Sequence, residues 1–310
     1  MHTARQLVRR GMLMRAGAWM AVALAAVFLG PASHAAVFPF TTGTAFPWET
    51  PGTSISASNL TNYEPSDLVW HPRLQRLFGV SDGSVNVSSR IFSMTSSGSA
   101  FAFTAVPGDL EGISLANPAS DFLYIGLEQP NEIAEFSLVS SSVTRTFALS
   151  PWMTGTAGLG LEALTFVPDA LHPEGGLFYA GLQENGTIYR FSLPILTSAT
   201  STSVQFVDSF QPVARGDLAG LHYDRDRSVL FAIYDDANLM RAMDVNGSLI
   251  QEWGLPGLNQ EGIALAGNVL YIAEDSGAIV QYVPEPSAVV LAIGAVVLGL
   301  LTRRGSSRRG

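Results

Sequence analysis

One pattern recurs five times along this chain and dominates what it can fold into. A small or acidic residue, often followed by glycine, leads into a short apolar run. A gap follows, then a Leu-Phe or Leu-Tyr pair and, in four copies, an acid. The copies open at Ser66-Asp67-Leu68-Val69-Trp70, Glu111-Gly112-Ile113-Ser114-Leu115, Glu162-Ala163-Leu164-Thr165-Phe166, Ala219-Gly220-Leu221-His222-Tyr223 and Glu261-Gly262-Ile263-Ala264-Leu265. Their second parts begin at Leu77-Phe78, Leu123-Tyr124, Leu177-Phe178, Leu230-Phe231 and Leu270-Tyr271. Lead positions 66, 111, 162, 219 and 261 are spaced by 45, 51, 57 and 42 residues. Periods of this size, each holding several short strands, predict a β-propeller.

A third strand is legible in each unit, for example Arg90-Ile91-Phe92 and Thr187-Ile188-Tyr189. The chain is therefore expected to be all-β, a propeller of four-stranded blades. The matched copies number five, and a sixth blade is the other count considered. A β-sandwich or an open solenoid is the structural alternative. The last unit stops at Tyr282 with three strands, so Ser54 to Thr61 is expected to supply its outer strand and close the ring.

Charge and missing residue types narrow the chemistry. The chain has no Cys and no Lys. That excludes disulfide staples, thiolate metal sites, a cysteine nucleophile and Schiff-base chemistry. Eight of the 17 basic residues lie in the two ends, so residues 36–283 carry 9 Arg against 25 Asp plus Glu, a balance of −16. No nucleic-acid partner is expected for such a body, whereas cations are its natural counterpart.

The ends read as processing segments. Arg5, Arg9, Arg10 and Arg15 precede an apolar run from Ala16 to Leu29 and the small residues Ala32 to Ala36. This is the pattern of a secretory signal peptide, residues 1–35, with its helix removed by signal peptidase. The other end reads Val283-Pro284-Glu285-Pro286-Ser287, then 14 uncharged residues from Ala288 to Leu301, then Thr302-Arg303-Arg304. At ~1.5 Å per residue this hydrophobic helix spans roughly 21 Å, short of the ~30 Å hydrocarbon core, but arginine snorkelling allows it to hold a membrane. Pro-Glu-Pro, apolar helix and arginine cluster together resemble the PEP-CTERM sorting signal. The resemblance implies that residues 284–310 are cut by an exosortase. The body would then be exported across the inner membrane to the cell envelope or beyond, transiently anchored by the C-terminal helix. An exopolysaccharide or another envelope component is the partner this implies.

The body, residues 36–283, is similar to the SdiA-regulated domain family, propellers related to the NHL-repeat group. Asp109-Leu110-Glu111-Gly112-Ile113, Gly160-Leu161-Glu162-Ala163-Leu164, Asp217 to Asp224 and Gln260-Glu261-Gly262-Ile263-Ala264 carry the likeness. The resemblance implies five blades and a bound calcium ion. Ser66 and Ala219 depart from it, leaving the acidic ring incomplete.

The inner strand of a propeller blade lines the central channel. Glu111, Glu162 and Glu261 should therefore converge at one mouth, with Asp67 and Asp217 beside them. Confined carboxylates repel unless protonated or neutralised, and oxygen donors without Cys favour Ca²⁺. Solvated turn acids are the plain alternative. Asp82, Glu128, Asp235 and Glu274, which close second strands, read as structural. His71 and His222 read as packed residues before ligands or bases. No nucleophile elbow, His-Glu-x-x-His motif or phosphate loop is present. The expected function is a calcium-binding interaction module of the envelope or matrix. The alternative is a calcium-dependent hydrolase, lactonase-, esterase- or phytase-like, at the central channel, with a carboxylate or His222 as base.

Overall fold

The computed structural model describes residues 46–56, 60, 63–82 and 88–284. The stretch expected to be a signal peptide and nearly all of the expected sorting segment lie outside the described residues. The first blade is formed by β2 (Glu64–His71), β3 (Arg76–Asp82), β4 (Arg90–Met94) and β5 (Ala102–Ala105). The second holds β6 (Leu110–Ser114), β7 (Phe122–Leu127), β8 (Glu132–Ser137) and β9 (Ser142–Ala148). The third holds β10 (Leu161–Pro168), β11 (Gly176–Leu182), β12 (Thr187–Ser192) and β13 (Gln205–Phe210). The fourth holds β14 (Leu218–Asp224), β15 (Val229–Tyr234), β16 (Leu239–Met243) and β17 (Leu249–Gly254). The fifth holds β18 (Gln260–Ala266), β19 (Val269–Glu274), β20 (Ile279–Tyr282) and, at its outer edge, β1 (Thr53–Ser54). The chain is thus an all-β, five-bladed β-propeller, as its repeat predicts.

Burial explains why the template is legible. The inner strands β2, β6, β10, β14 and β18 pack against one another in order, and β18 packs back on β2. Covered on both faces, they read as continuous apolar runs. Outer strands face solvent on one side, and β13 alternates exposed Gln205, Val207 and Ser209 with half-buried Phe206, Asp208 and Phe210. Five apolar clusters fill the five junctions between blades. Phe147, Leu164, Phe178 and Phe191 join blades two and three, and Leu68, Phe92, Tyr271 and Ile279 join blades one and five.

The ring closes through main-chain pairing. Thr53 faces Gln281, Ser54 faces Val280, and the Ile55 N–H donates to Ile279 O at 2.8 Å. The contact continues outward through the Glu49 N–H to Val283 O at 2.8 Å and a bridge between Trp48 and Pro284. The closing segment therefore runs from Trp48 to Ile55, starting several residues before the stretch expected from the sequence and overlapping it at Ser54 and Ile55. Its anchor accounts for the shift. Trp48 is 1% exposed, donates its indole N–H to Asn268 O at 2.8 Å and meets Trp253 edge-on. Residues 57–59 and 61, also in the expected stretch, lie outside the described residues.

Replacing Trp48 by Ala is expected to destabilise the fold by about 3–5 kcal/mol in urea unfolding. Leu171→Ala, at a side chain 95% exposed, should stay within about 0.5 kcal/mol of the parent.

Candidate functional site

The lead residue of every repeat plays one structural part. Pairing between inner and second strands skips Ser66 in blade one, Glu111 in blade two, Glu162 in blade three and Ala219 in blade four. In blade five it skips Glu261 and Gly262. Each lead residue is therefore a β-bulge, the device that breaks period-two alternation and re-aims a side chain. Close approach of the strands explains the glycine that often follows. A Cβ on Gly112 would lie 2.7 Å from Leu164 Cβ, and one on Gly262 would lie 2.5 Å from Asp67 Cα.

Asp67 occupies the position that is glycine or alanine in the other four blades. Its side chain is completely buried where the inner strands meet. Its carboxylate accepts the Leu68 N–H at 2.8 Å and the Ile113 N–H at 2.9 Å. Burial pushes its pKa well above the usual carboxylate range, against the N–H groups of Ile113, Leu68, Ile263 and Leu164, which pull it down. Those donors belong to blades one, two, three and five. Asp67 is thus an acceptor for inner strands and stands apart from the acids at the mouth.

Glu111, Glu162 and Glu261 do come together electrostatically. Burial raises the Glu162 pKa most, and the charges of Glu111 and Glu261 raise it further. Glu111, 9% exposed, is raised by burial and then by Asp109 and Asp82, while the Ser66 hydroxyl pulls it down. Glu261 is pushed up to about 8, by burial first and then by Asp275, Asp235 and Asp217. The mouth therefore has two acidic lobes with Glu162 between them.

The tighter lobe is Asp82, Asp109 and Glu111, each offering an oxygen within 4.8 Å of the other two. Burial and the neighbouring Glu128 raise Asp109 to about 6. Of the five acids singled out in the sequence, only Glu111 belongs to this group. Asp217 sits in the other lobe, in a left-handed turn with φ 61°, and its carboxylate accepts the Asp236 N–H at 2.7 Å. Asp82 and Asp109 were not singled out as ligands by sequence reasoning. Asp109 stands two residues before Glu111, a spacing that places both on one side of an extended chain, and this was the available signal.

The strand-ending acids are partly structural. Glu128 accepts the Gly160 N–H at 2.7 Å, and Asp235 accepts the Gln260 N–H at 2.8 Å. Each ties one blade to the start of the next inner strand. Among the described residues no arginine forms an ion pair with Asp109, Glu111, Glu162 or Glu261.

The histidines lie elsewhere. His71 is buried against Ser120 O at 3.3 Å. His222 stands three residues beyond the bulge of β14, roughly 10 Å along the strand, at the opposite end of the channel. That separation removes it as a base for a reaction at the carboxylate mouth.

No family model matches the chain, and no curated protein sequence matches it. Solved structures do. Glutaminyl cyclase from Myxococcus xanthus aligns over 74% of this chain and 93% of its own, with 11% identity and a TM-score of 0.53. The β-propeller domain of Cps50 (Swd1) from Myceliophteria thermophila aligns over 67% of this chain and 65% of its own, with 13% identity and a TM-score of 0.40. A nidogen/laminin complex aligns over 68% and 72%, with 14% identity and a TM-score of 0.43. Likeness at such identities is a likeness of fold.

Two outcomes follow from this geometry. Asp67→Ala should cost about 1–3 kcal/mol for each N–H left without an acceptor, and Asp67→Asn less, read by urea unfolding. In chelator-treated protein the raised acids stay protonated in the fold at pH values where the unfolded chain has already ionised. Their contribution is full below the ordinary carboxylate range and is lost as pH rises through the folded values, about 6 for Asp109 and about 8 for Glu261. The melting temperature should therefore fall between about pH 5 and about pH 9, and Glu261→Gln should flatten that fall.

Proposed function

We propose that this chain is an exported β-propeller of the cell envelope that binds a divalent cation, calcium by donor chemistry, and acts as a docking module. The observation that carries the reading is the group of Asp82, Asp109 and Glu111, whose oxygens come within 4.8 Å of one another. Ca–O distances are ~2.3–2.6 Å, so two ligand oxygens on opposite sides of one ion stand about 4.6–5.2 Å apart. The donor set fits: it is all oxygen, and the chain contains no Cys. When bound, the cation supplies positive charge to carboxylates that otherwise repel. Asp82, Asp109 and Glu111 would hold it, with Glu162 near enough to feel Glu111.

Export and sorting are supported by the segments at Arg5 to Ala36 and Pro284 to Arg304, with their resemblance to signal-peptide and PEP-CTERM patterns. The repeat turns support kinship with the SdiA-regulated propellers. An anionic exopolysaccharide is the envelope partner that a cation at this mouth would suit.

A second reading, a hydrolase acting on an ester, lactone or phosphoester, is favoured by one observation. Glu261, with a pKa of about 8, keeps its proton at neutral pH and could serve as a general acid.

Calorimetric titration of calcium into chelator-treated protein tests the first reading. Saturable binding is expected, weakened at least about tenfold in Glu111→Gln and Asp109→Asn. Calcium at about 100 times its Kd should add about 2.7 kcal/mol of stability. Absence of both effects would defeat the proposal. Turnover in an ester, lactone and phosphoester screen, abolished in Glu261→Gln, would favour the second reading.

A further inference from the structure

The channel has a second end, independent of the carboxylate mouth. Where the inner strands run into their turns they enclose a cavity of about 310 Å³, within the size range of small-ligand pockets. Residues from all five blades line it, among them Trp70, Phe166, His222, Tyr223 and Arg225. Apolar and aromatic side chains share the walls with Ser114, Thr165, His222, Asp224, Arg225 and Asp226.

Arg225 is placed unusually for this chain. It leaves blade four, passes the Phe166 ring of blade three at 5.9 Å, and reaches blade two. There one terminal nitrogen, Nη2, donates to Leu115 O at 2.9 Å and Ala116 O at 2.8 Å. Among the described residues, Nε and Nη1 have no protein acceptor, and the guanidinium has no carboxylate partner. The adjacent carboxylate of Asp224 is taken by Arg227. Asp226 at the rim is exposed and makes no ion pair among the described residues. Arg225 is exposed at the rim, and its guanidinium keeps a free edge toward the cavity that is open to an anion.

His222 adds a second unused polar group, since it makes no hydrogen bond to protein among the described residues. Burial holds its pKa near 4 against the pull of Asp224. The ring is neutral at pH 7 and offers one donor and one acceptor. The Thr165 hydroxyl oxygen accepts the Tyr223 N–H at 3.0 Å, which leaves its own proton to donate.

We propose that this cavity binds a small organic carboxylate with an apolar or aromatic body, the carboxylate on the free edge of Arg225 and the body between Trp70, Phe166 and Tyr223. The matched shape is one charged end and one apolar end.

Saturation-transfer NMR and calorimetry with phenylacetate, indole-3-acetate and hexanoate test it, each run against its primary amide and against methyl β-glucoside. At least one acid should bind, and its amide at least about tenfold more weakly. Arg225→Gln should lose at least about tenfold in affinity, and Arg225→Lys should fall between, because it keeps the charge without the fork. Leu171→Ala, at an exposed side chain outside the cavity lining, should bind as the parent does. Each variant's melting temperature reports that it is folded. Equal binding of acid and amide, unchanged affinity in folded Arg225→Gln, preference for the glucoside, or no binding by any acid at millimolar concentration would each overturn the proposal.

Discussion

Where the five inner strands converge, main-chain N–H groups from neighbouring blades point inward and water has no room to satisfy them. The carboxylate of Asp67 does so instead, with hydrogen bonds from Leu68 and Ile113 and an electrostatic pull from Leu164 and Ile263. A buried donor without an acceptor costs about 1–3 kcal/mol, so one side chain replaces several such penalties. It also divides the channel. Acids gather on one side of it, and the cavity with His222 and Arg225 lies on the other.

The acidic side follows from repetition of one local irregularity. A bulge at the same point of every blade directs the lead residue toward the mouth, and three of the five leads are glutamates. Each enters a region that burial and its neighbours have already made unfavourable for charge. The raised pKa values of Glu111, Glu162 and Glu261 are thus a property of the ring as a whole. The two blades with Ser66 and Ala219 at the bulge lower the charge density, and Ser66 favours the ionised form of Glu111.

The blades were legible in the sequence because inner strands are buried on both faces, so Leu68-Val69, Ile113, Leu164, Leu221 and Ile263 recur as apolar runs after a small or acidic lead. The convergence of three glutamates followed from that alone. The role of Asp67 did not, because its position beside a bulge looks like the others until the opposing N–H groups are in place. Asp82 belongs to the end of a second strand and Asp109 to the turn before an inner strand. The Asp109–Glu111 spacing was there to be read, but the approach of Asp82 depends on how blades one and two are set side by side, which no spacing within a repeat encodes. The start of the closing strand was set too late for a related reason. Alternation around Ser54 suits several registers, and the choice is made by Trp48, whose burial against blade four lies outside the repeat.

Closure has a mechanical side. Trp48 and Pro284 face each other at the outer limit of the pairing, and the seam runs inward from there through Glu49 and Val283 to Ser54 and Val280. A force drawing residue 48 away from residue 284 would load that seam at one end and peel its hydrogen bonds in sequence. It would not shear them together. The indole of Trp48, wedged against Trp253 and bonded to Asn268, is then the latch that must slip before any blade feels the load.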